Sequence, residues 1–125
     1  MSRKLAQSAP ERNVVLTKAV IRAAEYLGLK RNQLAATIGL SAATLSRMYA
    51  GDYLLDPKSK NWELAALLVR LYRGLDAIMA GDERSLQAWM RNPNTDLNEA
   101  PINLVNQVAG LASVVAYVDA YRARV

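Results

Sequence analysis

The chain has 125 residues, 52% of them hydrophobic, and contains neither cysteine nor histidine. That composition supports one domain or two small helical ones sharing a core. It excludes disulfides, thiolate chemistry, Cys/His metal sites and the commonest general base. The net charge of +5 is uneven: residues 1–50 hold eight basic residues against two acids, and residues 51–125 hold eight against nine.

The positive excess at the front points to a polyanion partner, because displaced counterions favour binding to a phosphate backbone. A solvated basic face is the other reading of the same charge. The longest apolar stretch lies within residues 64–71, well short of the ~20 residues that span a bilayer. Arg3 and Lys4 are not followed by an apolar segment, so no secretory signal is expected. The expectation is a cytoplasmic protein without membrane contact.

Residues 1–10 read as a flexible basic tail. Ser8, Pro10 and Glu11 read as a capping box opening a first helix of about four turns, with Gly28 as its left-handed stop. A short helix over Arg31–Ile38 follows, broken at Gly39. Ser41 caps the next, which runs to Ala50 before Gly51. Residues 52–60 form a polar turn.

Leu64, Leu68, Leu71, Leu75 and Ile78 then recur at 4-3-4-3 spacing, one stripe of a long helix. Leu67, Val69 and Tyr72 lie off that stripe, which makes the helix central or shared with a partner. Gly81 closes it, and Asp82 caps a short helix to about Met90. Asn92-Pro93-Asn94 marks a loop, and Pro101 starts a last helical region that Gly110 kinks or splits. There Val105, Val108, Ala112, Val115 and Val118 form one stripe, and Leu111, Val114, Tyr117 and Tyr121 a second. No segment alternates with period two, so the fold class is all-α. It divides into a helix-turn-helix bundle over residues 11–58 and a helical domain over residues 59–125.

Residues 31–50 carry the most specific pattern. Two short helices at a steep angle need apolar residues facing the core, a small residue at their crossing and a turn residue that accepts positive φ. Leu34, Ile38, Ala35, Gly39, Leu40, Leu45 and Met48 meet these demands. Ser41, Ala42, Ala43, Thr44, Ser46 and Arg47 are then left at the start and outer face of a recognition helix, able to meet base edges or phosphates. Gln33 suits a phosphate contact, Lys30 and Arg31 add backbone affinity, and the Arg3-Lys4 tail suits a minor groove. A three-helix packing unit without DNA binding would satisfy the same core positions.

The run from Trp62 to Asp76, then Gly81-Asp82-Glu83, Ala88-Trp89 with Asn92-Pro93-Asn94, Pro101, Gly110-Leu111 and Tyr117-Val118-Asp119-Ala120 resemble the MbcA/ParS/Xre antitoxin family over about residues 11–125. The resemblance implies an Xre-like helix-turn-helix followed by a toxin-binding domain. It also implies a RES-domain toxin partner that consumes NAD or ADP-ribosylates a target, and repression of the operon's own promoter. Two positions depart from the family pattern: residues 96–100 lack a frequent glycine, and Ala109 is often acidic.

The toxin-facing candidates that follow are Tyr117, Asp119, Tyr121, Arg122, Arg124 and Val125 with its carboxylate. An arginine or carboxylate in an NAD pocket would mimic ligand polar groups. By spacing alone Tyr117 and Tyr121 suit a core, and Arg122 and Arg124 suit a helix C-terminus. Trp62 and Trp89 suit core or dimer contacts. No catalytic, metal or cofactor-binding residue is expected, and two-fold operator recognition makes a homodimer the expected state. The alternative function is a stand-alone phage-type repressor whose C-terminal half only dimerises.

Overall fold

The computed structural model describes residues 11–124, and among these it places seven helices and no extended strand. They are α1 (Arg12–Leu27), α2 (Arg31–Ile38), α3 (Ala42–Ala50), α4 (Lys60–Ile78), α5 (Glu83–Arg91), α6 (Pro101–Leu104) and α7 (Val108–Arg124). One isolated bridge joins Asn94 to Glu99.

Local chemistry sets most of the boundaries. Gly28 takes φ 80°, which turns the Leu29 amide back onto the Ala24 carbonyl at 2.9 Å and ends α1. Ser41 Oγ accepts the Thr44 amide at 3.1 Å, and Ser59 Oγ accepts the Trp62 amide at 3.2 Å. Asp82 Oδ1 accepts the amides of Arg84 and Ser85. Each cap satisfies an amide that a helix start leaves unpaired. Of the capping box expected for α1, only Glu11 is among the described residues. Glu11 is extended, at φ −70° and ψ 147°, and makes no side-chain cap bond. It therefore precedes the helix instead of occupying its third position. Ser8, Pro10 and the Arg3-Lys4 tail lie outside the described residues.

α4 is the central element, packed against α1, α2 and α7. Leu68, Leu71 and Leu75 of α4 are fully buried with Leu27, Leu34, Ile38, Leu45, Leu86, Met90 and Leu111. Burial of such side chains contributes on the order of 1.5–3 kcal/mol each before entropy is counted. One core draws buried side chains from both sides of the boundary expected at residues 58 and 59, so the front and rear helices stabilise each other. Ile78, expected on the buried stripe, is only half-buried, because α4 ends there with Met79 as its cap. The α4–α7 seam is tight: a Cβ at Gly74 would stand 2.8 Å from Val118 Cγ1.

Two polar ties fix the loops. Thr17 Oγ1, buried on α1, accepts the Leu55 amide at 3.0 Å. Asn61 Nδ2 donates to the Ile38 and Gly39 carbonyls at 2.6 and 3.0 Å, which anchors the first turn of α4 to the α2–α3 turn.

The last helical region breaks at residues 105–107, not at Gly110. Gly110 lies in the first turn of α7, and a Cβ there would fall 2.1 Å from the Leu104 carbonyl oxygen. Its role is close approach. Of the first stripe expected for this region, Val105, Val115 and Val118 are buried, whereas Val108 is 62% exposed and Ala112 is exposed too. Leu111 and Val114 of the second stripe complete the buried face.

Candidate nucleic-acid and partner interfaces

α2 and α3 meet through buried Leu34, Ala35, Ile38, Leu45 and Met48, with Gly39 at φ 75° in the turn between them. That packing leaves Ser41, Ala42, Ala43, Ser46 and Arg47 exposed and Thr44 half-buried. Ser41 Oγ donates to Thr44 Oγ1 at 3.0 Å while accepting the Thr44 amide. The hydroxyl hydrogen of Thr44 is thereby left free to donate outward. Gln33 is half-buried, and its Oε1 accepts the Lys30 amide at 2.8 Å. Only its amide NH₂ is left to reach a phosphate.

Two arginine–aromatic pairs frame this surface, and sequence reasoning did not identify them. The Arg31 guanidinium lies 4.1 Å over the Tyr49 ring, and that of Arg47 lies 5.6 Å over Tyr53. Such stacking holds a guanidinium in place while its N–H edge stays available. Burial, and then Glu25, push the Tyr49 phenol upward, with Arg31 acting in the opposite sense. Tyr49 therefore stays a neutral hydrogen-bonding group. Neither pair has a periodic signature, because each depends on how a chain turn brings its partners together.

The rear candidates separate onto two sides of α7. Tyr117 and Tyr121 border an apolar pocket of about 200 Å³ with Leu75, Ile78, Met79 and Trp89. The Tyr117 ring stacks on Trp89 with centroids 6.4 Å apart, and its hydroxyl donates to Asp96 Oδ2 at 2.7 Å. That bond favours the neutral phenol and holds Tyr117 above its ordinary pKa. Asn94 Oδ1 accepts the Asp96 and Leu97 amides, which fixes the loop carrying the Asp96 carboxylate.

Asp119 and Arg122 face the opposite side, toward α1 and α4, where Arg70 contacts Asp119 Oδ2 at 2.9 Å. Tyr121 is 47% exposed and Arg124 is also exposed, so the Tyr117–Tyr121 spacing does not make a buried pair. Val125 lies outside the described residues. Among the described residues no cluster of three or more acids is placed to hold a metal ion, and no helix is long and apolar enough to cross a membrane.

Two family models match the chain. Residues 6–70 match the antitoxin Xre-like helix-turn-helix domain, and residues 75–124 match the antitoxin Xre/MbcA/ParS C-terminal toxin-binding domain. No curated protein matches it.

Proposed function

The chain belongs to the Xre/MbcA/ParS antitoxin family, and from that premise we propose that it neutralises a RES-domain toxin in the cytoplasm and, as a homodimer, represses the operon encoding both. As an antitoxin it is a regulatory protein, not a catalyst. The toxin in this reading consumes NAD or uses it to ADP-ribosylate a target.

The observation that carries the DNA half is the polarity of α3: Leu45 and Met48 are sealed into the core, while Ala42, Ala43, Ser46 and Arg47 all face solvent. In this reading the start of α3 enters the major groove. Thr44 and Ser46 bond base edges or phosphates, Ala42 and Ala43 meet thymine methyl groups, and Arg47 meets guanine or phosphate. Ser41 caps the reading helix, and Gln33 donates its amide to the backbone.

The toxin half rests on the match of residues 75–124 to a toxin-binding domain. Tyr117 and Tyr121 offer an apolar seat beside Trp89, and Asp119, Arg122 and Arg124 supply polar groups on the second half of α7. Seated in the toxin's cleft, those guanidinium and carboxylate groups would occupy positions that an NAD ligand needs.

The test is co-expression with the product of the adjacent toxin gene, paired with operator binding. The intact chain rescues growth and binds its promoter, with affinity that falls steeply as salt rises. Arg47→Ala weakens operator binding and leaves rescue intact. A chain ending at Ala120 keeps operator binding and loses rescue. Full rescue by that shortened chain removes the terminal segment from the mechanism.

A further inference from the structure

Positive charge gathers a second time, away from the reading helices. Arg12 lies 5.3 Å over the Trp62 ring, and further along both helices Tyr26 stacks on Tyr72 at 5.4 Å, so α1 and α4 run side by side in the same sense. Between them, with α7 along one side, lies an open trough of about 700 Å³. It continues into another of about 430 Å³ that shares Val15, Ala19, Val69 and Arg73. The floor is apolar, and Val15 on it is 49% exposed. The rim carries Arg12, Lys18, Arg22, Arg70, Arg73 and Arg122, all exposed. The single acid on the lining, Asp119, is already taken by Arg70. No residue of α2 or α3 contributes.

An exposed apolar strip edged by one sign of charge suits an amphipathic segment of the other sign. A second copy docked by this same face would set arginine against arginine, since a two-fold contact repeats each patch. A DNA backbone would match the rim and leave the apolar floor against solvated phosphates. Arg12 and Arg22 stand about 15 Å apart along α1 at 1.5 Å per residue, room for roughly three turns of a docked helix.

We propose that the trough receives an acidic amphipathic helix of the cognate toxin. Its apolar stripe would lie on Val15, Leu16 and Ala66, with carboxylates paired to Arg12, Arg73 and Arg122. The proposal rests on the toxin-binding reading above and extends it: Asp119 and Arg122 border the trough, so the contact would run from α7 onto α1, within the helix-turn-helix half. Arg12, Lys18 and Arg22 then serve the toxin, although they add to the charge of the first fifty residues.

The test measures binding of the full-length chain to purified toxin and to operator DNA at low and high salt. Arg12→Glu/Arg73→Glu weakens toxin binding by more than about tenfold, because desolvated charge pairs govern such contacts, and at high salt, where long-range charge is screened, it leaves operator affinity close to that of the wild type. Val15→Asp probes the floor without touching an arginine, and thermal melts verify that both variants fold. Unchanged toxin affinity in both variants, with the wild type binding, overturns the proposal and spares the antitoxin reading. Loss of operator binding alone assigns the trough to DNA, and a changed oligomeric state with toxin affinity intact assigns it to a second copy; either outcome overturns the proposal. A wild type that ignores the toxin removes the toxin-binding reading and this proposal with it.

Discussion

Thr17→Val isolates one hydrogen bond. Thr17 is 3% exposed, and its Oγ1 accepts the amide of Leu55, which is itself wholly buried in the loop between α3 and α4. Valine keeps the shape and the β-branching and removes only the acceptor. A buried amide left without a partner costs about 1–3 kcal/mol. The added methyl returns up to about 1 kcal/mol, and the helix propensities of the two residues are close. The net loss therefore spans about 0–3 kcal/mol and centres on about 1.5 kcal/mol. With a urea m-value on the order of 1.5 kcal/mol per molar, the midpoint falls by about 1 M and the slope stays constant. Protein concentration is held fixed, because the stability of the proposed dimer would depend on it. Amide hydrogen exchange supplies the second readout: the Leu55 amide loses protection in Thr17→Val and keeps it in Thr17→Ser. A Thr17→Val protein as stable as wild type, with Leu55 still protected, would refute the claim that this bond pins the loop.

Gly110→Ala drives a Cβ to 2.1 Å from the Leu104 carbonyl oxygen, a backbone atom that cannot swing aside. It should cost about 3 kcal/mol. Gly81→Ala meets nothing closer than 4.0 Å at φ 78°, so only conformational strain remains, about 1–2 kcal/mol; thermal melts that rank Gly81→Ala as the worse of the two would contradict this. Bonds from Ser85 hold Asp82, and bonds from Ala100 and Asn103 hold Glu99, below their ordinary pKa values of 3.8 and 4.5. A depressed folded-state pKa contributes stability that is fully present above the ordinary value and is lost as pH falls through the depressed one. Asp82→Asn/Glu99→Gln should therefore flatten the acid limb of the stability curve below about pH 4.5, and an unchanged limb in urea melts from pH 2 to 6 would count against those bonds.

The elements that were legible in the sequence rest on interactions within a few residues. Gly28, Gly39 and Gly51 stop helices, and Ser41 and Asp82 start them, because a cap bonds an amide two or three positions away. The stripe of Leu64, Leu68, Leu71 and Leu75 is equally local in origin, since helical periodicity puts these residues on one face. Those rules sufficed for an all-α chain and for the surface of α3.

What they left open was which helix would lie beside which. Val108 holds the right spacing, yet it stays exposed because α7 begins there, before the helix meets α4. Gly110 reads as a kink, whereas the Leu104 carbonyl pressed against it makes it a contact. The charge of the first fifty residues counts as one quantity in the sequence. The packing of α1 on α4 sends Arg12, Lys18 and Arg22 to a trough and leaves Lys30, Arg31 and Arg47 with the helix-turn-helix. Tyr117 and Asp119, two positions apart, end on opposite sides of α7. A local rule sees neighbours along the chain, but a charged or apolar patch is assembled from helices distant in sequence, so only their packing decides it.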